Sequence, residues 1–93
     1  MKFEVFGRAT CAKCRSTKDK LGHIIGKSEA AGSATLAFVD MDTVEGLAEA
    51  AFNDVHEVPT TLLRSDGGDV LARWDAQIPP SVEVQSFLAG AKV

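Results

Sequence analysis

The chain has 93 residues, 45% of them hydrophobic and 25% charged, with a formal net charge of −3. That length makes one domain, spanning 1–93, whose folding buries roughly 60–65% of the surface exposed by the unfolded chain, and the acidic balance argues against a nucleic-acid partner. No apolar stretch approaches the roughly 18 residues of a membrane span, and charge interrupts the opening Met1-Lys2-Phe3-Glu4-Val5-Phe6, unlike a secretory signal, so the chain reads as a soluble, cytoplasmic monomer with no membrane partner.

Lys2 to Gly7 reads as a strand, with Phe3 and Val5 on one face and Glu4 and Phe6 on the other. Cys14, Thr17, Leu21, Ile24 and Ile25 then fall at helical spacing within Cys14 to Lys27, with Thr10 as the expected N-cap. Gly22 and Gly26 each cost about 1 kcal/mol relative to Ala, so the helix is expected to weaken or end near them. Glu29 to Ser33 is rich in small residues and reads as a loop. Thr35 to Asp40 contains the apolar run Leu36-Ala37-Phe38-Val39, the pattern of a strand covered on both faces, and is expected to be central.

Asp42 and Glu45 have the spacing of a capping box, and Val44, Leu47, Ala48, Ala51, Phe52 and Val55 mark an apolar stripe on the helix that follows. Thr60 to Arg64 and Val70 to Trp74 read as two strands joined through Ser65-Asp66-Gly67-Gly68-Asp69, a connection short enough to require an antiparallel hairpin. Trp74 shares a strand face with Val70 and Ala72 and reads as core. Pro79-Pro80-Ser81 opens a last helix, with Val84, Phe87, Leu88 and Ala91 on its buried side. The element order is βαβαββα.

Cys11 and Cys14 are the only cysteines, and they stand where the first strand pattern gives way to the first helix. Only a thiolate attacks a disulfide. A helix N-terminus offers unpaired N–H groups and a favourable dipole to negative sulfur, lowering its pKa from near 8.5 by about one to several units. Two intervening residues let the second sulfur reach the first and close an internal disulfide after a mixed disulfide has formed. In a reducing compartment such a pair points to catalysis or metal binding before it points to a structural bridge.

With this dithiol, the element order and Val58-Pro59-Thr60, the chain resembles the thioredoxin superfamily, in particular its small thioredoxin- and glutaredoxin-like members, over nearly its whole length. The resemblance implies an α/β fold with a central four-stranded mixed sheet flanked by three helices. It implies that Cys11 is the exposed nucleophile, that Cys14 is the more buried resolving thiol, and that no cofactor is needed beyond the Cys11-Cys14 redox pair. It also implies a cis Val58-Pro59 bond beside Cys11, with the Val58 backbone pairing to an extended substrate. Thr10, Ala12, Lys13, Val58 and Pro59 thereby become the expected substrate-binding set, and Lys13, between the thiols, adds a positive field that solvent screens. The implied activity is reduction of protein disulfides, with an unidentified reductase as electron donor.

The departures are local. Thr10 and Ala12-Lys13 replace the thioredoxin Trp and Gly-Pro, Val5 stands where thioredoxins bury an Asp, and Gly67-Gly68 lies in a hairpin turn instead of the glutathione-holding position of glutaredoxins. His56 reads as a solvated loop residue, His23 has no ligand partner, Asp40 and Asp42 read as strand-end and capping groups, and Lys18, Lys20 and Lys27 read as a wetted helix face.

The rival reading is a soft-metal carrier. Ala9-Thr10-Cys11-Ala12-Lys13-Cys14 is similar to the Met-Thr-Cys-x-x-Cys loop of copper-chaperone domains, where two thiolates hold Cu(I). Those domains run βαββαβ, whereas here a helix separates the second and third strand patterns. A structural zinc site lacks ligands, since two cysteines and two separated histidines do not make a tetrahedral set.

Overall fold

A computed structural model describes residues 1–27 and 34–90. Its elements are β1 (Lys2–Gly7), α1 (Ala12–Lys27), β2 (Thr35–Asp40), α2 (Val44–Phe52), β3 (Thr60–Arg64), β4 (Val70–Asp75) and α3 (Ser81–Gly90). The loop expected at Glu29 to Ser33, and Ala91 of the last helix, lie outside the described residues.

The strands form one mixed sheet in the order β2-β1-β3-β4. β1 pairs parallel with β2, antiparallel with β3, and β3 pairs antiparallel with β4. The alternation along β1 is what divides the core in two. Phe3 and Val5 join Leu63, Trp74, Leu21, Ile25, Val84 and Leu88 on the face covered by α1 and α3. Phe6 joins Met41, Ala50, Val55 and Leu62 on the face covered by α2. Across the first cluster, Trp74 and Phe87 meet edge to face at 6.1 Å and 85°, a geometry that adds about 0.5–1.5 kcal/mol to simple burial.

β2 is an edge strand, not the central one its apolar run suggested, and its residues are only half-buried. Helices cover both of its faces, with Leu36 and Phe38 packed on one cluster and Val39 on the other, but cover on two faces says nothing about a second neighbouring strand.

α2 presents the opposite side to that expected. Its buried residues are Gly46 and Ala50, while Val44, Leu47 and Phe52 are 80%, 49% and 88% exposed. The cause is close approach: a Cβ on Gly46 would lie 1.7 Å from the Asp40 carbonyl oxygen, so only the small-residue face fits against the end of β2. The helix is capped by Thr43, not Asp42. Thr43 Oγ1 accepts the Gly46 N–H at 2.9 Å and donates to the Asp40 carbonyl, while the Asp40 carboxylate accepts the Asp42 N–H. At the other end of α2, Arg73 donates to the Asn53 and Asp54 carbonyls, both at 2.6 Å, tying the helix end to β4.

α1 runs through Gly22 and Gly26 without interruption to Lys27. Lys20 is not simply wetted: its Nζ donates to the Pro79 carbonyl at 2.9 Å and links α1 to the segment before α3. In β4 a register shift at Leu63/Arg64 pairs Ala72 with Leu63 but Val70 with Arg64, so Val70 leaves the Trp74 face and is exposed.

Candidate active site

Because β3 runs antiparallel to β1, with Phe6 opposite Thr60, the end of β1 and the start of β3 lie at the same end of the sheet. The Arg8–Cys11 turn and Val58–Pro59 leave the sheet there, and so does Ala76, which follows the pairing of Asp75 with Thr60. All three emerge at the end of the sheet where α1 begins, and the Ala76 loop is tied to the first turn of α1 through Lys13.

Cys11, not Thr10, caps that helix. Its carbonyl accepts the Arg15 N–H at 3.1 Å, the first helical bond, and its sulfur accepts the Cys14 N–H at 3.1 Å, as an N-cap oxygen would. Its own N–H donates to the Arg8 carbonyl at 3.1 Å, closing the turn out of β1. A thiolate at this position receives a backbone N–H and faces the positive end of the helix dipole, which is the physical route to a lowered thiol pKa.

Cys11 and Cys14 are joined by a disulfide, with their Cα atoms 5.2 Å apart. The two sulfurs differ in environment. Cys11 is partly exposed and Cys14 is fully buried, set on the inward side of α1 with Thr17, Leu21 and Ile25. Its seat depends on Gly7, a residue that sequence reasoning passed over: a Cβ there would stand 2.7 Å from Cys14 Sγ, 2.8 Å from Cys14 Cβ and 3.3 Å from the Phe38 ring. A glycine ending a strand just before the dithiol was the available signal, since it marks close approach of another group to the backbone.

Thr10 and Ala12 are exposed on either side of Cys11. Lys13 is exposed as expected but anchored, its Nζ donating to the Ala76 carbonyl at 3.0 Å across the mouth of the site. Arg15 donates to the Ala9 carbonyl at 2.7 Å and fixes the turn before Cys11, a second contact not foreseen. The Val58-Pro59 bond is cis, with Pro59 buried and Val58 half-buried against the α2-side core. His56 and His23 are both exposed. Among the described residues no group of three His, Cys, Asp or Glu side chains is placed to hold a metal ion, and no helix is long and apolar enough to cross a membrane.

No protein-family model matches the sequence, and no curated protein matches it. Solved structures do. Thioredoxin 1 of Thermosipho africanus TCF52B superposes with a TM-score of 0.75 at 18% identity, covering 99% of this chain and 96% of its own. Thioredoxin O2 of Arabidopsis thaliana, in its oxidized state, gives 0.74 at 21% identity, covering 96% of this chain and 72% of its own. Thioredoxin-2 of a malaria parasite, a component of its protein secretion machinery, gives 0.69 at 28% identity, covering 96% and 81%. With the same sheet and helices over almost the entire length, and a disulfide at the start of the first helix, this chain has the thioredoxin fold.

Proposed function

We propose that the protein is a thiol-disulfide oxidoreductase that reduces protein disulfides through the Cys11/Cys14 pair. The observation that carries this reading is the asymmetry of the two sulfurs: Cys11 is partly open to solvent and caps α1, whereas Cys14 is sealed beneath it against Gly7. In the reducing direction the Cys11 thiolate attacks one sulfur of a substrate disulfide and expels the other as a thiolate, forming a mixed disulfide. Cys14, deprotonated, then attacks the Cys11 sulfur. The Cys11–Cys14 bond forms, the bond to substrate breaks, and the two departing substrate thiolates take up the two protons the cysteines have lost. A separate reductase returns two electrons and two protons to restore the dithiol.

Thr10, Ala12, Lys13 and Val58 form the surface we assign to the substrate, with the Val58 backbone offered to an extended segment and the buried cis Pro59 fixing that backbone from beneath. The Lys13–Ala76 contact supports this by holding the rim beside Cys11. A reducing compartment such as the cytoplasm suits the assignment, since there the pair is regenerated as dithiol. The rival Cu(I) carrier calls for a βαββαβ chain, whereas the order here is βαβαββα.

The test is turnover of insulin disulfides with dithiothreitol as the electron source, which needs no cognate reductase. Wild type should accelerate reduction, Cys11→Ser should abolish the acceleration, and Cys14→Ser should lose multiple turnover. Equal rates in all three would end the reading. Stoichiometric Cu(I) binding by a wild type that does not catalyse exchange would put the metal carrier in its place.

A further inference from the structure

Among the described residues three polar side chains are fully buried: Thr17, Thr60 and Thr61. Two have obvious duties. Thr17 donates to the Lys13 carbonyl at 2.8 Å within α1, and Thr60 donates to the Glu57 carbonyl at 2.8 Å in the turn before β3. Thr61 Oγ1 alone among the described residues is a buried side-chain oxygen or nitrogen without a protein partner. An unsatisfied buried hydroxyl costs about 1–3 kcal/mol, and a Val in its place would avoid that cost.

Its position suggests what the hydroxyl serves. Leu62 faces the α2-side core and Leu63 the α1/α3-side core, so alternation puts Thr61 on the α1/α3 face. There it stands directly opposite Val5 on β1 and Trp74 on β4. Gly7 lies on the same face two residues beyond Val5, one diagonal step from Thr61, and the Cys14 sulfur sits over Gly7. The fully buried sulfur and the unpartnered hydroxyl therefore belong to neighbouring positions on the same face of the sheet, with no hydrogen bond between them in the disulfide form.

A buried thiolate is disfavoured by desolvation, and a hydrogen-bond donor reverses that disfavour. Of the charged and titratable groups on the surrounding elements, Asp19 and His23 of α1 are exposed to solvent and others are engaged elsewhere. Lys13 of α1 points to the Ala76 carbonyl and Arg15 to Ala9, while Lys18 lies over the Phe38 ring. Asp40 of β2 accepts the Asp42 N–H, Glu83 of α3 accepts the Trp74 indole N–H, and Asp75 of β4 pairs with Arg73. Cys11 is covalently linked to Cys14 here.

We propose that Thr61 is a positioning residue for Cys14: in the dithiol and mixed-disulfide forms its hydroxyl donates a hydrogen bond to the Cys14 sulfur, directly or through one water, and favours the thiolate that frees the substrate. The hydroxyl keeps its own proton throughout; the proton lost by Cys14 ends on the departing substrate thiolate. The proposal rests on the oxidoreductase reading for its catalytic meaning, but the contact itself can be tested without turnover.

In Cys11→Ser, Cys14 is the sole thiol, and the ultraviolet absorbance of its thiolate reports its ionisation against pH. Adding Thr61→Val, a near-isosteric change that removes the orphaned hydroxyl, should raise the midpoint by about one pH unit, equivalent to a tenfold loss of thiolate below the midpoint. Adding Thr61→Ser should leave the midpoint at the parent value. With both cysteines present, Thr61→Val should slow release from a mixed disulfide about three- to fourfold in the pH range below the midpoint, because the scarcer thiolate is also the more nucleophilic one, while the first attack by Cys11 keeps its rate. An unchanged midpoint in Thr61→Val, or a Thr61→Ser that shifts as far as Thr61→Val, would overturn the assignment. A wild type that fails to reduce insulin while the midpoint still shifts would instead refute the activity and leave the contact standing.

Discussion

Gly7→Ala is the substitution that most sharply probes how the dithiol is seated. The backbone at Gly7 is not in the left-handed region, so alanine brings no conformational penalty there and the destabilising effect is steric. The added methyl would stand 2.7 Å from Cys14 Sγ and 2.8 Å from Cys14 Cβ, about 1 Å inside the 3.5–4.0 Å at which such atoms pack well. Neither neighbour is free to swing away: Cys14 is fully buried, held by the helix backbone and tied to Cys11. Relief must come from moving the start of α1 off the sheet, and overpacking of this kind costs about 1–3 kcal/mol. At about 2 kcal/mol, the oxidised protein should melt roughly 8–16 °C lower. Thermal and urea unfolding with the disulfide intact measure this, with Gly26→Ala as the control. Gly26 lies in the same helix with nothing within 4 Å of its would-be Cβ, so alanine there should stabilise by about 0.5–1 kcal/mol. A Gly7→Ala protein as stable as wild type would mean that Cys14 does not sit against β1 as described.

Three other outcomes follow from the same geometry. Gly46→Ala drives a methyl into the Asp40 carbonyl, a backbone atom with no give, and should cost about 3 kcal/mol or more by urea unfolding. Cys11→Ala and Cys11→Ser both lack the disulfide, but serine keeps a capping oxygen for the Cys14 N–H, so the alanine variant should be less stable by about 1 kcal/mol in the same unfolding assay. Phe52→Ser should change stability by no more than about 0.5 kcal/mol, because the ring is 88% exposed, whereas a core phenylalanine would cost several times as much.

That last contrast shows where hydrophobic pattern stops being informative. Along α2 the large apolar residues Val44, Leu47 and Phe52 drew the eye, yet the packed face is Gly46 and Ala50, selected by the distance to Asp40 and not by hydrophobicity. Period-2 alternation placed Phe3 and Val5 opposite Phe6 correctly, because β1 is buried on both faces by different helices and each residue has a defined side. The same reasoning made β2 central when it is an edge strand: side chains report what covers the faces of a sheet, while strand order is set by backbone pairing. At the site, the Cys-x-x-Cys spacing and Val58-Pro59 were legible as local signals. The glycine that ends β1 just before the dithiol was a local signal of the Gly7–Cys14 contact, whereas the burial of Thr61 depends on Val5 and Trp74, distant along the chain, flanking it in the sheet. The caps of α1 and α2 each fell one residue later than expected, on Cys11 and Thr43, because neighbouring residues offer similar capping chemistry and only the backbone geometry selects between them.

In the proposed reaction Cys11 is the attacking sulfur and Cys14 the group that releases it, and covalent trapping addresses both roles at once. Reduced Cys14→Ser mixed with a disulfide-containing protein should give a one-to-one adduct by intact-mass spectrometry, mapped to Cys11 and cleaved by dithiothreitol. Reduced Cys11→Ser should give none on the same timescale. Adduct formation at Cys14 alone, or no adduct in either variant, would contradict the account.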